Sequence, residues 1–253
     1  MSTLTTIIIF TALGSVVSLI GGVLLLLKRG WADRLTEPLS AFAAGALLGT
    51  AFLDLLPEAI EYAEEVAVDA HSIFLWALAG IIIFFLLERF VHWFHHHHEH
   101  TEEAKKPVGT LIVLGDSIHN FIDGVAIAVT FLVDPALGVI TTLAVGAHEI
   151  PQEIGDFAIL LKAGYSRKRV LWLNVLSACT ALLGAILTFM VGPSIAGALP
   201  VLLAITAGFF IYIALSDLVP EIHAWGTKKL AITESALLIL GIAVVGVLVH
   251  LLE

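Results

Sequence analysis

Long apolar runs alternate with short polar stretches along the whole chain. Each run is close to the roughly 20 residues that an α-helix needs to cross the hydrocarbon core of a bilayer. Charged residues, glycine or proline separate the runs, which cover residues 4–27, 39–60, 73–94, 108–132, 137–161, 170–191, 199–219 and 232–252. The first run is too long for the apolar part of a signal peptide, so we expect it to remain as a span. The pattern predicts an all-α integral membrane protein with eight transmembrane helices.

Composition supports this assignment and limits the possible functions. Of the 253 residues, 59% are apolar and only 13% are charged, and the mean hydropathy is +1.01, which a water-soluble globule could not accommodate. Eight spans use almost the entire chain, so residues 1–253 are predicted to form a single transmembrane domain without a soluble catalytic domain. The net charge of -10 argues against nucleic acid as a partner and favours cations.

Basic residues are confined to alternate connections between the predicted spans. The odd-numbered connections contain Lys28, Arg29, Arg34, Lys105, Lys106, Lys162, Arg167, Lys168, Arg169, Lys228 and Lys229. The even-numbered connections contain acidic residues but no Lys or Arg. By the positive-inside rule, the odd connections face the cytoplasm and both termini lie on the outer side. We therefore predict a multi-pass protein of the cell membrane, either an inner or a plasma membrane.

Two short patterns recur in helices that are predicted to cross the membrane in opposite directions. The order Asp-x-x-Pro-Glu occurs at residues 54–58 in the second helix and at 217–221 in the seventh. A histidine, a polar residue, two apolar residues and another polar residue occur at 119–123 in the fourth helix and at 148–152 in the fifth. Such pairs are typical of an inverted repeat, with helices 1–3 related to 6–8 and helix 4 to helix 5.

The fourth and fifth helices carry ionisable groups at membrane depth, where such groups by default mark a pathway or a site. At about 100° per residue, these groups form one polar stripe on each helix. The stripes contain Asp116, His119, Asn120 and Asp123, and His148, Glu149, Gln152, Glu153 and Asp156. Facing stripes can form a hydrogen-bonded core, a proton relay or a cation site. Imidazole, carboxylate and amide groups one turn apart favour an exchangeable divalent transition metal.

The same residues resemble a known family. The sequence His-Asn-Phe-Ile-Asp-Gly at 119–124, together with His-Glu-Ile-Pro-Gln-Glu-Ile-Gly-Asp-Phe at 148–157, resembles the paired motifs of the ZIP family of divalent metal transporters, in its LIV-1-like branch. The resemblance covers nearly the whole chain. It implies import of Zn²⁺, or of Fe²⁺, Mn²⁺ or Cd²⁺, through a two-metal centre between helices 4 and 5. It also implies a homodimer in the lipid bilayer and transport by alternating access.

The resemblance assigns metal ligands residue by residue. It gives the first ion His119, Asp123, His148 and Gln152. It gives the second ion Asn120, Asp123 and Glu149, with Asn174 of the sixth helix as our candidate for a further ligand. Glu153 completes the set of candidate metal residues. Gln152 departs from the usual His or Glu of this branch, which puts affinity and metal preference in doubt.

Other polar residues are candidates for the transport pathway. We expect Asp54 to receive the cation from the outer side and Asp217, Glu221 and His223 to pass it to the cytoplasm. Asp116 and Asp156 extend the polar stripes and are assigned to the pathway too. The cytoplasmic connection at residues 95–107 is rich in histidine and is expected to collect or sense metal, with candidate ligands His92, His95, His96, His97, His98 and His100.

Two other functions are compatible with parts of this pattern. His148 and Glu149 begin a sequence like the His-Glu-x-x-His of zinc metalloproteases. Gln152, however, stands where the second zinc-binding histidine is required, so we predict that the chain is not an enzyme. A metal channel rather than a carrier is the remaining alternative.

Overall fold

The computed structural model describes residues 2–27, 29–66, 68–96, 105–224 and 228–252, and the regular structure in these ranges is entirely helical. The α-helices are α1 (Thr3–Leu27), α2 (Arg29–Thr50), α3 (Leu56–Glu65), α4 (Ala70–His96), α5 (Lys105–Val133), α6 (Pro135–Lys162), α7 (Arg167–Ile195), α8 (Leu199–Ile213), α9 (Val219–Ala224) and α10 (Lys228–Leu252). The all-α prediction is confirmed for the described residues.

Six segments of the described residues are long and apolar enough to cross a membrane. They are Thr3–Val23, Pro38–Glu65, Ala70–Phe90, Ile112–Val133, Arg167–Leu218 and Ile232–Leu252. The predicted spans 170–191 and 199–219 both fall within Arg167–Leu218. The predicted fifth span, residues 137–161, forms α6 but does not meet the same apolar criterion. The charged residues Glu149, Glu153 and Asp156 lower its hydropathy.

Two helices widen by one residue at the repeated Asp-x-x-Pro-Glu pattern. A π-helical turn at Ala51–Leu55 joins α2 to α3, and another at Ala214–Leu218 joins α8 to α9. In the first, Leu56 donates its backbone N–H to the carbonyl of Ala51, five residues earlier. A proline follows each π turn and has no N–H to donate, so it cannot continue the α-helical bonding across this region. Each wide turn contains the aspartate of its pattern.

The helices pack most extensively in four pairs. The most extensive contacts are α5 with α7, α2 with α10, α1 with α6, and α4 with α8. Some of these pairs approach so closely that a side chain would not fit between them. A Cβ placed on Gly124 of α5 would collide with the backbone carbonyl of Ala181 on α7, and one on Gly45 of α2 would collide with that of Leu238 on α10. Close approach of helix backbones through small residues is typical of membrane helices.

The polar stripes of α5 and α6 face each other inside this helical bundle. Their neighbours along the helices, including Ile127, Val129, Val145 and Phe157, are fully buried in the apolar core. The stripes are therefore enclosed by apolar packing.

Candidate metal centre

Four ligand-type side chains from α5 and α6 meet in one buried cluster. His119 and Asp123 lie one turn apart on α5, while His148 and Glu149 are neighbours on α6. One ligand atom from each of the four lies within 4.8 Å of the others, and all four residues are buried. We call this group the histidine cluster.

Distances inside the histidine cluster suit shared coordination of one ion. Nε2 of His119 lies 3.1 Å from Nε2 of His148. Nε2 of His148 lies 3.4 Å from Oδ2 of Asp123, and Oε1 of Glu149 lies 3.8 Å from each imidazole. Zn–N bonds of about 2.0–2.1 Å at the tetrahedral angle place two ligand atoms roughly 3.3–3.4 Å apart. The shorter distances are close to that spacing.

The ring of His148 is oriented by the backbone of its own helix. Its Nδ1 donates to the carbonyl oxygen of Ala144, one turn earlier, at 3.2 Å. This hydrogen bond puts the proton of the neutral ring on Nδ1 and leaves the lone pair of Nε2 facing the cluster. Aromatic rings complete the enclosure: Phe84 meets His119 edge-on at 5.4 Å, and Phe210 lies 6.4 Å from the ring of His148.

A second cluster adjoins the first and contains only carboxylates. Asp116 of α5 and Glu149 and Glu153 of α6 bring one oxygen each within 4.8 Å of the others, and all three residues are buried. We call this group the carboxylate cluster. Glu149 belongs to both clusters, so the two candidate sites share one ligand. Asp116 precedes His119 and Glu153 follows Glu149 by about one turn, which places this cluster toward the predicted cytoplasmic side.

Asp116 is surrounded by polar side chains from three helices. Asn120 donates from Nδ2 to Oδ1 of Asp116 at 2.9 Å. The side chains of Gln152 on α6 and Ser177 on α7 also lie within hydrogen-bonding reach of Asp116. Asn174, one turn before Ser177, is buried and donates to the carbonyl of Val170 at 2.8 Å. The structure thus places Gln152 beside Asp116.

Several oxygens of the two clusters and of the neighbouring Asn120 accept no hydrogen bond from any described residue. They are Oδ1 of Asn120, Oδ2 of Asp123, and both carboxylate oxygens of Glu149 and of Glu153. Buried acceptors without donors are costly, and buried carboxylates are normally paired or bound to a metal. Residues 112–133 and 135–161, which carry the clusters, contain no Lys or Arg. The arrangement is therefore suited to binding cations.

An acidic cavity of about 430 Å³ lies at the predicted outer side of the bundle. It is lined by Asp54, Glu58, Glu61, Asp134, Ala136, Leu137, Ile140 and Leu252. Asp54, the first residue of the repeated pattern in the second span, is buried in the π turn and lines this cavity. Asp134 also caps the start of α6 by accepting from the backbone N–H groups of Ala136 and Leu137.

The opposite end of the ligand-bearing face of α6 is more open. His148 is fully buried, whereas Gln152 and Asp156 are half-buried and Gly155 is exposed. A Cβ added to Gly155 would meet no atom within 4 Å. On this face, Gln152, Gly155 and Asp156 are therefore more exposed than His148, while Glu153 stays buried.

Asp217, a candidate pathway residue, belongs to neither cluster. Asp217 is exposed in the second π turn. Glu221 and His223 belong to the backbone of α9, and α4 includes His92, His95 and His96. His97, His98 and His100 of the predicted loop lie outside the described residues.

Two features around the carboxylate cluster were not predicted from the sequence. Sequence reasoning missed Ser177, whose only signal is a polar residue one turn after Asn174 on an otherwise apolar helix. It assigned Asp116 to the pathway, and the structure brings that residue together with Glu149 and Glu153. The rotation of α5 relative to α6 decides this grouping, and no single-helix pattern contains it.

Comparisons with known proteins identify a matching family and several similar proteins. The sequence matches the ZIP zinc transporter family over residues 3–111 and 96–249. It is 30% identical to a Drosophila melanogaster protein named zinc transporter ZIP13 homolog, with 97% of this chain and 90% of that protein aligned. It is 37% identical to zinc transporter ZIP13 of Pongo abelii over 74% of this chain and 58% of that protein. It is 38% identical to human zinc transporter ZIP10 over 53% of this chain but only 16% of that protein.

Proposed function

Because the chain belongs to the ZIP zinc transporter family, we propose that it carries a divalent transition metal, zinc foremost, across a membrane into the cytoplasm through the centre between α5 and α6. It is a multi-pass membrane protein, and the relatives named above are transporters rather than enzymes. The observation that carries the proposal is the pair of adjoining buried clusters, with carboxylate oxygens that accept no hydrogen bond from described residues.

The first ion is proposed to bind the histidine cluster. Two imidazole nitrogens and two carboxylate oxygens form a donor set of borderline softness, which suits Zn²⁺. The 3.1 Å spacing of the two Nε2 atoms and the orientation of His148 support this assignment. Glu149 takes the place that the family resemblance gives to Gln152.

The second ion is proposed to bind the carboxylate cluster, with Glu149 as the bridging ligand. The ionised forms of Asp116, Asp123, Glu149 and Glu153 carry four negative charges, and two divalent cations would neutralise them. Oδ1 of Asn120 is buried and has no hydrogen-bond partner among the described residues, so Asn120 remains a candidate ligand beside them. Asn174, already bonded through its amide to Val170, remains a more distant candidate on α7.

The eight-span fold with an inverted repeat is part of the proposal. Gly21 of α1 packs on the carbonyl of Ile150, and Gly184 of α7 packs on the carbonyl of Phe121. Ile150 and Phe121 each follow the histidine of their pattern by two residues. The two π turns at the Asp-x-x-Pro-Glu patterns give the same correspondence. In this scheme α6 is the fifth span, and its polar stripe is tolerated because it is buried.

Alternating access would require two groups of helices that move against each other. We propose that α1, α5, α6 and α7 move together as the unit that holds the metal. The remaining helices, with α2 paired to α10 and α4 to α8, form the other unit. In each pair, a glycine of one helix lies directly against a backbone carbonyl of the other, which supports treating each pair as part of one unit.

The entrance and exit are proposed from the two ends of the centre. The acidic cavity around Asp54 concentrates cations at the outer side. The half-buried Asp156, followed by Asp217, Glu221 and His223, leads toward the cytoplasm, where the His-rich loop at 95–107 collects metal. The choice among Zn²⁺, Fe²⁺, Mn²⁺ and Cd²⁺, residence in the cell membrane and a homodimer are further parts of this proposal.

Uptake of radioactive zinc into liposomes that contain the purified protein tests the proposal. We expect saturable uptake in the wild type, competed by manganese, iron or cadmium, and loss of uptake in His119→Ala and His148→Ala. His250→Ala is a matched control, because His250 is exposed on α10 and belongs to neither cluster. Wild-type liposomes that take up no metal above empty ones would refute the proposal.

A further inference from the structure

Two fully buried threonines, on α2 and α6, have hydroxyl groups without a partner among the described residues, as does Thr11 on α1. Buried hydroxyls in membrane helices commonly donate to a carbonyl three or four residues earlier. Thr142 bonds in this way to Gly138 at 2.7 Å, and Thr130 bonds to both Ala126 and Ile127. The Oγ1 atoms of Thr50 and Thr141 have no hydrogen-bond partner among the described residues, although both residues are 0% exposed.

Thr141 lies on the same face of α6 as His148. The two residues are seven positions apart, which is almost two full turns, so their side chains differ in direction by roughly 20°. Thr141 is on the outer side of His148, next to Ile140 in the lining of the acidic cavity. The hydroxyl therefore stands on the ligand-bearing face, between the cavity and the histidine cluster.

Thr50 lies on α2, between the cavity-lining Asp54 and the apolar cluster that contains Ala46. It precedes Asp54, which lines the cavity, by about one helical turn, and follows Ala46 by another. Ile140 lines the cavity with Asp54 and also packs in one apolar cluster with Ala46 and Val245. Along α2, Thr50 therefore lies between Ala46, which shares an apolar cluster with Ile140, and Asp54, which shares the cavity lining with Ile140.

The segment between the cavity and the histidine cluster is closed in this structure. Eight residues separate Ile140 from His148, a rise of about 12 Å along α6. Over this distance the face that continues to His148 is formed by Thr141, Ala144 and Val145, each at most 2% exposed. The hydroxyl of Thr141 is thus the polar side-chain group on this face of α6 between Ile140 and His148.

We infer that Thr50 and Thr141 are pathway residues whose hydroxyl oxygens carry the divalent cation from the acidic cavity to the histidine cluster when the outer side opens. The inference rests on the proposed function. A hydroxyl is a neutral oxygen ligand, so it can replace a water of the incoming ion without the tight hold of a carboxylate. Thr50 contributes from the unit of α2 and Thr141 from the unit of α6, so the pair spans the boundary at which the two units would separate.

The inference is tested by Thr50→Val and Thr141→Val, which remove each hydroxyl while nearly preserving shape. Thr142→Val is the matched control, since its buried hydroxyl is already bonded to Gly138. Initial rates of zinc uptake into liposomes and equilibrium zinc binding by the purified protein in detergent are measured for each variant. Thr50→Ser and Thr141→Ser, which restore the hydroxyl, complete the set.

We expect each of Thr50→Val and Thr141→Val to lower the maximal uptake rate at least about fivefold while zinc binding stays unchanged. Thr142→Val and both serine variants should transport at nearly the wild-type rate. Wild-type rates in both Thr50→Val and Thr141→Val would overturn the inference, as would an equal loss in Thr142→Val, which would indicate a general packing effect. A wild-type protein that binds or transports no zinc would overturn the proposed function itself, and this inference with it.

Discussion

Among the described residues, Glu149 is the one that belongs to both clusters. It contributes an oxygen to the histidine cluster and another contact to the carboxylate cluster, and its two oxygens accept no hydrogen bond from the described residues. A substitution at Glu149 should therefore affect two ions, whereas one at Asp123 or Asp116 should affect one.

Glu149→Gln is expected to abolish binding of the second zinc and to weaken the first. The loss in affinity should exceed about 100-fold, since even an outer partner of a ligand is commonly worth 10–100-fold. Equilibrium dialysis with zinc measures both stoichiometry and affinity. Glu234→Gln is the control, because Glu234 is a buried carboxylate on α10 outside both clusters. Two zinc ions bound with unchanged affinity by Glu149→Gln would contradict the bridging role.

Gln152 bears on the choice of metal. Its neutral amide lies beside Asp116, where a histidine would add an imidazole donor to the carboxylate cluster. Imidazole favours zinc over manganese more strongly than oxygen ligands do. We therefore expect Gln152→His to raise the zinc-to-manganese uptake ratio by about tenfold. Competition between the two metals in liposomes measures the ratio, and an unchanged ratio would place Gln152 outside the selective contacts.

The types of the candidate ligand residues were predictable from the sequence, but the side chains that lie next to them were not. The candidate ligands His119, Asp123, His148 and Glu149 stand out because ionisable groups inside apolar helices are unusual. The approach of Gln152 and Ser177 to Asp116 depends on how three helices are rotated about their axes. That rotation is fixed by long-range packing, including the fit of Gly124 against α7.

At the scale of the helices, glycine positions determine which pairs can approach. A Cβ on Gly124 would meet the backbone carbonyl of Ala181, which cannot move without moving α7. Gly155, on α6, has open space around it. These two glycines therefore make a matched pair for testing whether α5 and α7 are locked together.

Gly124→Ala is expected to destabilise the protein by about 1–3 kcal/mol, the usual cost of forcing an added group into a packed interior. Gly155→Ala should be neutral or stabilising by up to about 1 kcal/mol, because alanine favours a helix more than glycine does. Thermal unfolding in detergent, monitored by circular dichroism, compares the two variants. Equal melting temperatures for Gly124→Ala and the wild type would show that α5 and α7 can separate at little cost.

The apolar runs predicted the approximate positions of the helices, but they did not predict the π turns. The predicted second span ends at residue 60, but the helical segment continues through α3 to Glu65. Pro57 and Pro220 indicate only that a backbone donor is missing. Whether a helix kinks or widens into a π turn near such a proline depends on the packing around it.

For the whole molecule, the proposed motion predicts which contacts must break. Ala46 of α2 and Ile140 of α6 pack in one cluster although they belong to different units. Val245 of α10 packs in the same cluster but belongs to the same unit as Ala46. One cluster therefore offers a pair across the boundary and a pair within one unit.

A cysteine cross-link between positions 46 and 140 is expected to abolish zinc uptake while zinc binding persists. The experiment starts from Cys179→Ser, since Cys179 is the chain's only cysteine. A cross-link between positions 46 and 245 is the control and should leave uptake at its uncross-linked rate. Uptake that survives the 46–140 cross-link would exclude sliding of the two units along this contact, and uptake lost equally in the control would point to local damage.

The two π turns also bear on how the chain evolved. A π turn adds one residue to a helix, as a single-residue insertion would. Here the extra residue occurs twice, each time just before the proline of the same short pattern, in segments 163 positions apart at Asp54 and Asp217. If the halves descend from one duplicated gene, the simplest order of events places the insertion before the duplication. The ancestral half-size protein would then already have carried the wide turn, and both descendants kept it.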